Sequence, residues 1–335
     1  MTSCNPLPSE PLRSCVCNQG SVVEQLLNPG IPDPQIQEHL AKADAMTRDL
    51  SGGRGYVWAA IGVDNHPCPM TCNFCSQSHR WQASTEPWMM SVEEVVTAAR
   101  EMDDRGADFV VLRTTQCYGL ERLTDLARTV RQHLRDDVKL VVNTGECTVE
   151  DVRRLREAGV NTAYHVVRLR EGVDTPHSIA MRLKSIAAIK EGGLELNCLI
   201  EPLGPEHTAE EILTEARRMR ELGTIGTGVM ARVPVMGTPL AHLGQVGESY
   251  LRRVVAVSRF EYPDGGSRLC VHPPTPSALL SGANTLVVEH GAVPRASTVQ
   301  KKSWRAFDVS SARDLLGSCG WQVRIVGESR PAGNL

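Results

Sequence analysis

The chain has 335 residues, a formal net charge of −3 and an aromatic content of 4%. This length suits one large α/β barrel or two ordinary domains. The small net charge and few aromatic side chains argue against a nucleic-acid-binding surface. No apolar run approaches the ~20 residues of a membrane span, and the start of the chain lacks the pattern of a secretory signal. The 11 cysteines are therefore expected in the reducing cytoplasm, as metal ligands rather than disulfides.

Residues 1–32 are predicted to form an N-terminal extension. It contains Cys4, Cys15 and Cys17 among proline, serine and asparagine residues. The segment shows little apolar periodicity, which is typical of a disordered lead with incidental thiols. The high density of cysteines also fits a second metal site, so both interpretations stay open.

From residue 33 to 320, predicted helices and strands alternate. The first helix covers 33–50, and Ser91 with Glu94 three residues later predicts the capped start of another. Clear amphipathic helices are predicted at Thr148–Ala158 and Thr208–Leu222, and a last one at Ser310–Leu316. The predicted strands are Tyr56–Val63, Phe109–Arg113, Lys139–Asn143, Thr162–Val167, Leu194–Ile200, Val229–Val235, Arg268–His272 and Thr285–Glu289.

Near-continuous apolar strands between helices indicate a parallel sheet that is covered by helices. The eight predicted strands fit an α/β fold of the (β/α)8 TIM-barrel type over residues 33–320. Residues 294–302 are predicted to be a polar connection, and residues 321–335 a C-terminal tail.

Three closely spaced cysteines follow the first predicted strand. Cys68, Cys72 and Cys75 have the spacing C-x3-C-x2-C, and a short loop can bring such thiolates onto one metal centre at little entropic cost. A structural zinc site uses four ligands. A zinc loop is an alternative, but no fourth Cys or His stands at zinc-finger spacing. Three thiolates suit a cubane iron–sulfur cluster with one iron open to a small molecule, and Phe74 can shield the cluster edge.

This segment resembles the signature of the radical S-adenosylmethionine (radical SAM) superfamily, in which an aromatic residue precedes the third cysteine. Its flanks resemble biotin synthase, because CSQSHRW at Cys75–Trp81 is similar to the C-P-Q-S-S-R-Y run of that family. VPVMGTPLA at Val233–Ala241 shares the family's GTPLA, and Arg268 in SRLCV and SGANTL at Ser281–Leu286 have counterparts in the same order. The resemblance covers roughly residues 35–320.

The resemblance implies a 4Fe–4S cluster on the three cysteines, with S-adenosylmethionine bound to the open iron. It also implies a small-molecule substrate and an external one-electron donor such as flavodoxin or ferredoxin. In TIM barrels the ligand contacts come from the C-terminal strand ends, where an arginine can pair with a carboxylate. The residues expected to contact the cofactor are Phe74, Thr114, Thr115, Asn143, Arg168 and Glu171.

Biotin synthase also carries a second cluster inside its barrel, on three cysteines and an arginine. Arg268 and Cys198 match two of those four ligands, so a catalytic role is expected for both. The other two positions fall near Arg113 and at Val141 or Val142, where cysteine is absent. Because a buried arginine needs an anionic partner, Arg268 is expected to face the barrel interior.

An auxiliary 4Fe–4S cluster therefore has two possible ligand sets. The preferred set is Cys4, Cys15 and Cys17, because lipoyl synthase, another sulfur-inserting radical SAM enzyme, holds its auxiliary cluster on an N-terminal cysteine group. The spacing here, C-x10-C-x-C, differs from that group. The alternative set within the barrel is Cys117, Cys147, Cys198 and Cys270.

These observations predict a cytoplasmic radical SAM enzyme that generates a 5′-deoxyadenosyl radical, abstracts hydrogen from a small molecule and inserts sulfur. The Arg- and Ala-rich, Lys-poor composition is typical of a high-GC genome and favours secondary metabolism, for example an antibiotic or a nucleoside. Carbon-skeleton rearrangement and hydrogenase cofactor maturation stay open as alternatives. An iron–sulfur electron-transfer protein without a substrate is an alternative from another class.

Overall fold

A computed structural model of the chain describes residues 16–81 and 87–326, with side-chain surroundings given from residue 22 onward. The helices are α1 Val16–Leu27, α2 Asp33–Ser51, α3 Val92–Asp104, α4 Leu120–Arg131, α5 Val149–Glu157, α6 Ile179–Glu191, α7 Ala209–Leu222, α8 Glu248–Glu261, α9 Pro276–Leu279 and α10 Val309–Ser318. The strands are β1 Tyr56–Gly62, β2 Phe109–Arg113, β3 Lys139–Asn143, β4 Thr162–Tyr164, β5 Glu195–Asn197, β6 Ile200–Leu203, β7 Gly226–Ala231, β8 Arg268–His272 and β9 Thr285–Gly291. Short 3-10 turns lie at Ala241–Leu243 and Trp304–Ala306.

The strands close into a parallel barrel. β1 has β2 on one side and β9 on the other, and the order runs on to β5 and β6 at the two ends. The ring is completed where Asn197 of β5 pairs with Gly226 of β7. β5 and β6 together form one interrupted strand of the barrel, because they are separated by residues 198 and 199 alone. The predicted (β/α)8 barrel is confirmed, with its fifth predicted strand divided in two.

Local sequence signals set the starts of three helices on the barrel. Ser91, Thr148 and Thr208 each accept a hydrogen bond from the backbone N–H three residues later. The acidic side chain at that later position accepts one from the backbone N–H of the cap residue. Such capping contributes about 1 kcal/mol per helix. The three caps therefore fix where α3, α5 and α7 begin above the strands.

The apolar core forms two layers. Because successive side chains on a strand point to opposite faces, Trp58 and Ala60 belong to the cluster inside the barrel, whereas Ala59 and Ile61 belong to the layer under the helices. The same alternation places Cys198 in the outer layer. Inward-facing side chains therefore decide what the barrel can bind.

Both ends of the described chain pack on the barrel. Val23, Leu26 and Leu27 of α1 are buried, and α1 packs against α8. Trp321 is buried, and its indole N–H donates to the carbonyl of Leu279 at 3.1 Å. Residues on both sides of the predicted boundaries after residues 32 and 320 therefore contact the barrel. In the described ranges, no helix is both long enough and apolar enough to cross a membrane.

β7 begins at Gly226, three residues before the predicted start at residue 229, and ends at Ala231. Its first residues are small because neighbouring atoms lie close to them. A Cβ on Gly226 would lie 2.0 Å from Oδ1 of Asn197, and one on Gly228 would lie 2.1 Å from the carbonyl oxygen of Cys270. Val233 and Val235, which the apolar pattern placed in the strand, follow it in the loop toward α8.

Candidate functional site

The cysteine loop lies at the C-terminal mouth of the barrel, directly after β1. Cys68, Cys72 and Cys75 line a cavity that enters the barrel interior. The loop folds back on itself, since the Cys68 N–H donates to the carbonyl of Gln77 at 2.8 Å. The Trp81 indole N–H donates to the carbonyl of Cys72 at 2.9 Å. These bonds hold the three thiols at one end of the cavity.

Two further contacts tie the loop to the barrel. The carboxylate of Asp64 is fully buried and accepts hydrogen bonds from the backbone N–H of Thr115, at 2.8 Å, and from its hydroxyl. Between the first and last cysteines, the N–H of Asn73 donates to the carbonyl of Asp174 at 2.8 Å. The loop is therefore positioned by the end of β2 and by the β4–α6 connection.

The chemistry of the donor set fits an iron–sulfur cluster. Burial raises the pKa of Cys72 to about 12, and burial also raises the pKa of Cys75. Both thiols are thus protonated until a metal displaces the protons, as thiolate ligation requires. In the described part of the chain, the one compact group of metal-ligating side chains is Asp174, Glu206 and His207, and it contains none of these cysteines. Three thiolates, around which the described residues form no compact group with a fourth ligand, suit an open cluster better than a closed zinc site.

Arg168 places a half-buried cation beside the cysteine loop. Its backbone N–H donates to Glu171 at 2.9 Å, and its Nε lies 3.4 Å from Glu201. Burial lowers the pKa of Arg168, but the negative charges of Glu201, Cys72 and Glu171 outweigh burial and raise it overall. Its Nη1 makes no hydrogen bond among the described residues and lies 3.9 Å from Oε2 of Glu171. Because Arg168 lines the cavity, its guanidinium can bind a carboxylate that enters.

Most of the expected cofactor contacts lie on the cavity wall. Phe74, Thr114, Thr115, Asn143 and Arg168 all line it. Thr115 is already committed to Asp64 through its hydroxyl, and Thr114 donates to the carbonyl of Asn143 at 3.5 Å.

Glu171 does not lie on the described cavity wall. It is buried behind Arg168 and accepts a hydrogen bond from the hydroxyl of Thr175. Its carboxylate supports Arg168 from behind, and the expected contact between Glu171 and the cofactor stays a prediction. Glu201 lines the cavity beside Arg168, so its carboxylate can contact the cofactor on this side.

A buried ion cluster on the opposite wall was missed by sequence reasoning. Glu289 of β9 pairs with Arg113 and Arg295, and its Oε2 lies 3.3 Å from Nε2 of His272. Burial raises the pKa of Glu289, but the charges of Arg295 and Arg113 hold it well below the usual value. Arg295 falls in the segment predicted to be a polar connection, yet it lines the cavity. A glutamate ending an apolar strand was the available signal, because a buried carboxylate needs a cation.

The four barrel cysteines do not converge. All four lie in the described ranges, and of these Cys270 alone lines the cavity. Cys198 packs in the outer layer with its Sγ 2.9 Å from the carbonyl of His165. The Sγ of Cys147 lies 3.9 Å from the carbonyl of Ser185, and Cys117 is exposed. The orientation of Cys198 contradicts its expected role as a ligand or catalytic group inside the barrel.

Arg268 faces the barrel interior and lines the cavity. Its guanidinium lies 5.0 Å from the ring centre of Phe109, and its closest carboxylate contact is Glu195 at 4.0 Å. For the N-terminal set, Cys4 and Cys15 lie outside the described residues. Cys17 belongs to α1, and its side chain is also outside the described part.

A comparison with protein families supports the interpretation of the cysteine loop as a radical SAM signature. Residues 66–236 match the family model described as the Radical SAM superfamily. The chain belongs to the radical SAM superfamily. Its sequence is similar to the biotin synthase of Pelotomaculum thermopropionicum, with 27% identity over 281 residues that cover 79% of this chain and 86% of the relative. It is also similar to the biotin synthase of Nitrosopumilus maritimus, with 26% identity over 279 residues that cover 79% and 84%.

Solved structures share the fold of this radical SAM chain. Methylornithine synthase superposes with a TM-score of 0.74 at 16% identity, covering 92% of this chain and 97% of that one. The FeFe-hydrogenase maturase HydG of Carboxydothermus hydrogenoformans superposes with a TM-score of 0.66 at 15% identity, covering 84% and 70%. At these identities the likeness shows the fold alone. Membership of the superfamily implies a 4Fe–4S cluster and S-adenosylmethionine, and a small-molecule substrate and an electron donor are typical of such enzymes.

Proposed function

We propose that this radical SAM enzyme removes a hydrogen atom from a carbon of a small molecule held inside the barrel, and that sulfur is then inserted at that carbon. The observation that carries the proposal is the cysteine loop at the mouth of a cavity that reaches the barrel interior. When bound, the cluster and S-adenosylmethionine supply one-electron cleavage to a 5′-deoxyadenosyl radical. The reducing cytoplasm that such chemistry needs is part of the proposal.

The side chains of the mouth suit the charged ends of S-adenosylmethionine. Cys68, Cys72 and Cys75 would hold the cluster. Arg168 lines the cavity and offers its guanidinium to the cofactor's carboxylate, and charge-assisted hydrogen bonds of this type are among the stronger ones. Glu201 can accept from the cofactor's ammonium group or ribose hydroxyls, and it already accepts a hydrogen bond from the Tyr164 hydroxyl at 2.5 Å.

Below the mouth, the barrel wall becomes apolar. The inner cluster includes Ala60, Val111, Leu199 and Val287, which also line the cavity. Such a wall excludes water from the reacting carbon, and exclusion of water suppresses side reactions of reactive intermediates. The chain's own contribution is thus to position the substrate and to keep this region dry.

Sulfur insertion is the finer part of the proposal. Two facts support it: the sequence relatives are biotin synthases, and the N-terminal extension contains Cys4, Cys15 and Cys17. Those three thiols would hold an auxiliary cluster as sulfur source or binding platform. An antibiotic or nucleoside substrate is proposed from the composition alone.

Iron and sulfide analysis tests the auxiliary cluster. The proposal predicts about eight iron atoms per chain, falling to about four when Cys4, Cys15 and Cys17 are all replaced by Ala. That variant should still form 5′-deoxyadenosine but should yield no sulfur-containing product. Cys319→Ala, a half-buried thiol at the end of α10, is the matched control and should leave iron unchanged. Unchanged iron in the triple variant would rule out the N-terminal site.

A rearrangement or maturation reaction without sulfur transfer is the second candidate. It is favoured by the divergence of the four barrel cysteines, of which Cys270 alone lines the described cavity. About four iron atoms per wild-type chain, together with active cleavage of S-adenosylmethionine, would support this candidate. A fall in iron on replacing Cys117 and Cys198 would instead return the auxiliary cluster to the barrel.

A further inference from the structure

The cavity continues to the end of the barrel opposite the cysteine loop. Gly226, Arg268 and Thr285 are the first residues of β7, β8 and β9, and all three line the cavity. In a parallel barrel, first residues lie at the face away from the C-terminal mouth. From Arg268 to His272 at the end of β8, a rise of ~3.3 Å per residue gives a depth of about 13 Å. We call the region around Trp58, Asn197, Gly226 and Arg268 the deep end.

Two buried side chains at the deep end and the half-buried Arg268 have polar atoms without hydrogen-bond partners in the described ranges. They are both amide atoms of Asn197, Nε of Arg268 and Nε1 of Trp58. Asn197 is 2% exposed and Trp58 is 8% exposed. Leaving such groups unpaired costs stability, so their presence together needs an explanation.

The three side chains are close neighbours. Gly226 pairs with Asn197 on one side and with Arg268 on the other. The Phe109 ring lies 4.8 Å from the Trp58 ring and 5.0 Å from the Arg268 guanidinium. A Cβ on Gly226 would lie 2.0 Å from the Asn197 Oδ1, so the absence of a side chain there leaves room for the amide. The polar atoms therefore form one subsite.

The charge and donor balance of the subsite identify its ligand. Arg268, Asn197 and Trp58 provide three kinds of N–H donor against one acceptor, the Asn197 carbonyl oxygen. The carboxylate contact of Arg268 is Glu195 at 4.0 Å, and the Glu195 side chain is 46% exposed, so this ion pair is weak. One cation with several convergent donors matches a single negative charge on two oxygens. A phosphate dianion would bring a second charge that no other deep-end side chain described here balances.

We propose that the deep end binds a terminal carboxylate of the substrate through Arg268, Asn197 and Trp58. The apolar band of Ala60, Val111, Leu199 and Val287 lies between this subsite and the mouth. It would hold an aliphatic part of the same molecule and leave the reacting carbon near the cysteine loop. The inference rests on the proposed function in that the ligand is taken to be the substrate. It also assigns this space to substrate rather than to a second cluster.

Calorimetric titration of the full-length, cluster-reconstituted protein tests this subsite without reductant or S-adenosylmethionine. The probes are hexanoate, hexanamide and hexylamine, which share one chain and differ in the charge of the end group. Hexanoate should bind about tenfold more tightly than the amide or the amine, as expected for hydrogen bonds to a charged group. Arg268→Gln should remove the preference. Arg217→Gln is the control, because Arg217 is 60% exposed on α7 and pairs with Glu261 on the outside.

Two smaller substitutions keep the test decisive where Arg268→Gln fails to fold. Asn197→Asp preserves shape and places a carboxylate beside Arg268, so it should abolish hexanoate binding. Trp58→Phe removes a single donor and should weaken binding several-fold. Equal binding of the three probes to the wild type, or a preference that survives Asn197→Asp, would overturn the proposal. The titration measures binding without cleavage of S-adenosylmethionine. A negative titration would therefore overturn the carboxylate subsite but not the proposed radical chemistry. A protein that fails to cleave S-adenosylmethionine would overturn the radical chemistry but not the subsite.

Discussion

Thr115 donates two hydrogen bonds to the fully buried carboxylate of Asp64, one from its backbone N–H at 2.8 Å and one from its hydroxyl. Asp64 stands between the end of β1 and the first cysteine of the loop, and Thr115 follows β2. The pair fixes the entry of the cysteine loop against the neighbouring strand. Thr115 was expected to touch the cofactor directly, but its hydroxyl serves the loop.

Thr115→Val should weaken binding of the iron–sulfur cluster by the cysteine loop. The valine keeps the shape of the side chain but removes the hydroxyl donor, and a buried carboxylate oxygen without its donor costs about 1–3 kcal/mol. We expect lower iron content after reconstitution and faster loss of iron to a chelator. Thr124→Val is the control, because the Thr124 hydroxyl is also buried but donates to the carbonyl of Leu120 at 2.8 Å within α4. Equal iron retention by both variants would contradict this role of Thr115.

Arg168→Gln should reduce the affinity for S-adenosylmethionine by about tenfold or more, because it removes a charged donor facing the cavity. Equilibrium dialysis with labelled S-adenosylmethionine and no reductant measures this effect separately from catalysis. Arg168→Lys keeps the charge and should recover part of the affinity, which a purely structural role would not predict. Affinity unchanged in Arg168→Gln would remove Arg168 from the binding site.

Asp33→Asn should lower stability in a pH-dependent way. Slight burial raises the pKa of Asp33, but hydrogen bonds from Arg253, Ser249 and Arg252 on α8 outweigh burial and lower it from 3.8 to about 2. A lowered pKa in the folded state stabilises the fold above the unfolded value and loses this effect as the pH falls.

The difference in unfolding free energy between wild type and Asp33→Asn should therefore be constant from about pH 7 to about pH 5 and should shrink toward about pH 2. Urea denaturation at several pH values measures it. Asp44→Asn is the control on the same helix. Among the described residues, Asp44 forms one ion pair, with Arg48 at 2.7 Å, whereas Asp33 forms two. A difference for Asp33→Asn that does not change with pH would contradict the account.

Local and periodic patterns made the barrel predictable from the sequence. Strands such as Phe109–Arg113 are short apolar runs, and their bounds agree with the prediction. Ser91, Thr148 and Thr208 marked helix starts, because a capping box depends on residues three apart. The three-cysteine loop was recognisable because its ligands are also close in sequence.

Features that depend on distant neighbours were not predictable in this way. The start of β7 was missed because Gly226 has no side chain to signal burial. Glycine is required there because a Cβ would collide with the side chain of Asn197 on β5. Arg295 was assigned to a polar connection, since its partner Glu289 can be identified only once the chain folds back after β9. The outward orientation of Cys198 follows from the register of β5, which the cysteine itself does not reveal.

The central claim is that Cys68, Cys72 and Cys75 hold a cluster that cleaves S-adenosylmethionine. The most direct measurement is 5′-deoxyadenosine formation under dithionite by the reconstituted wild type and by a variant with all three replaced by Ala. The account predicts steady formation by the wild type, none by the variant, and an unchanged circular dichroism spectrum, because the barrel core lies elsewhere. A control in which Cys147 and Cys319 are replaced by Ala should retain formation. Continued 5′-deoxyadenosine formation by the folded triple variant would contradict the account.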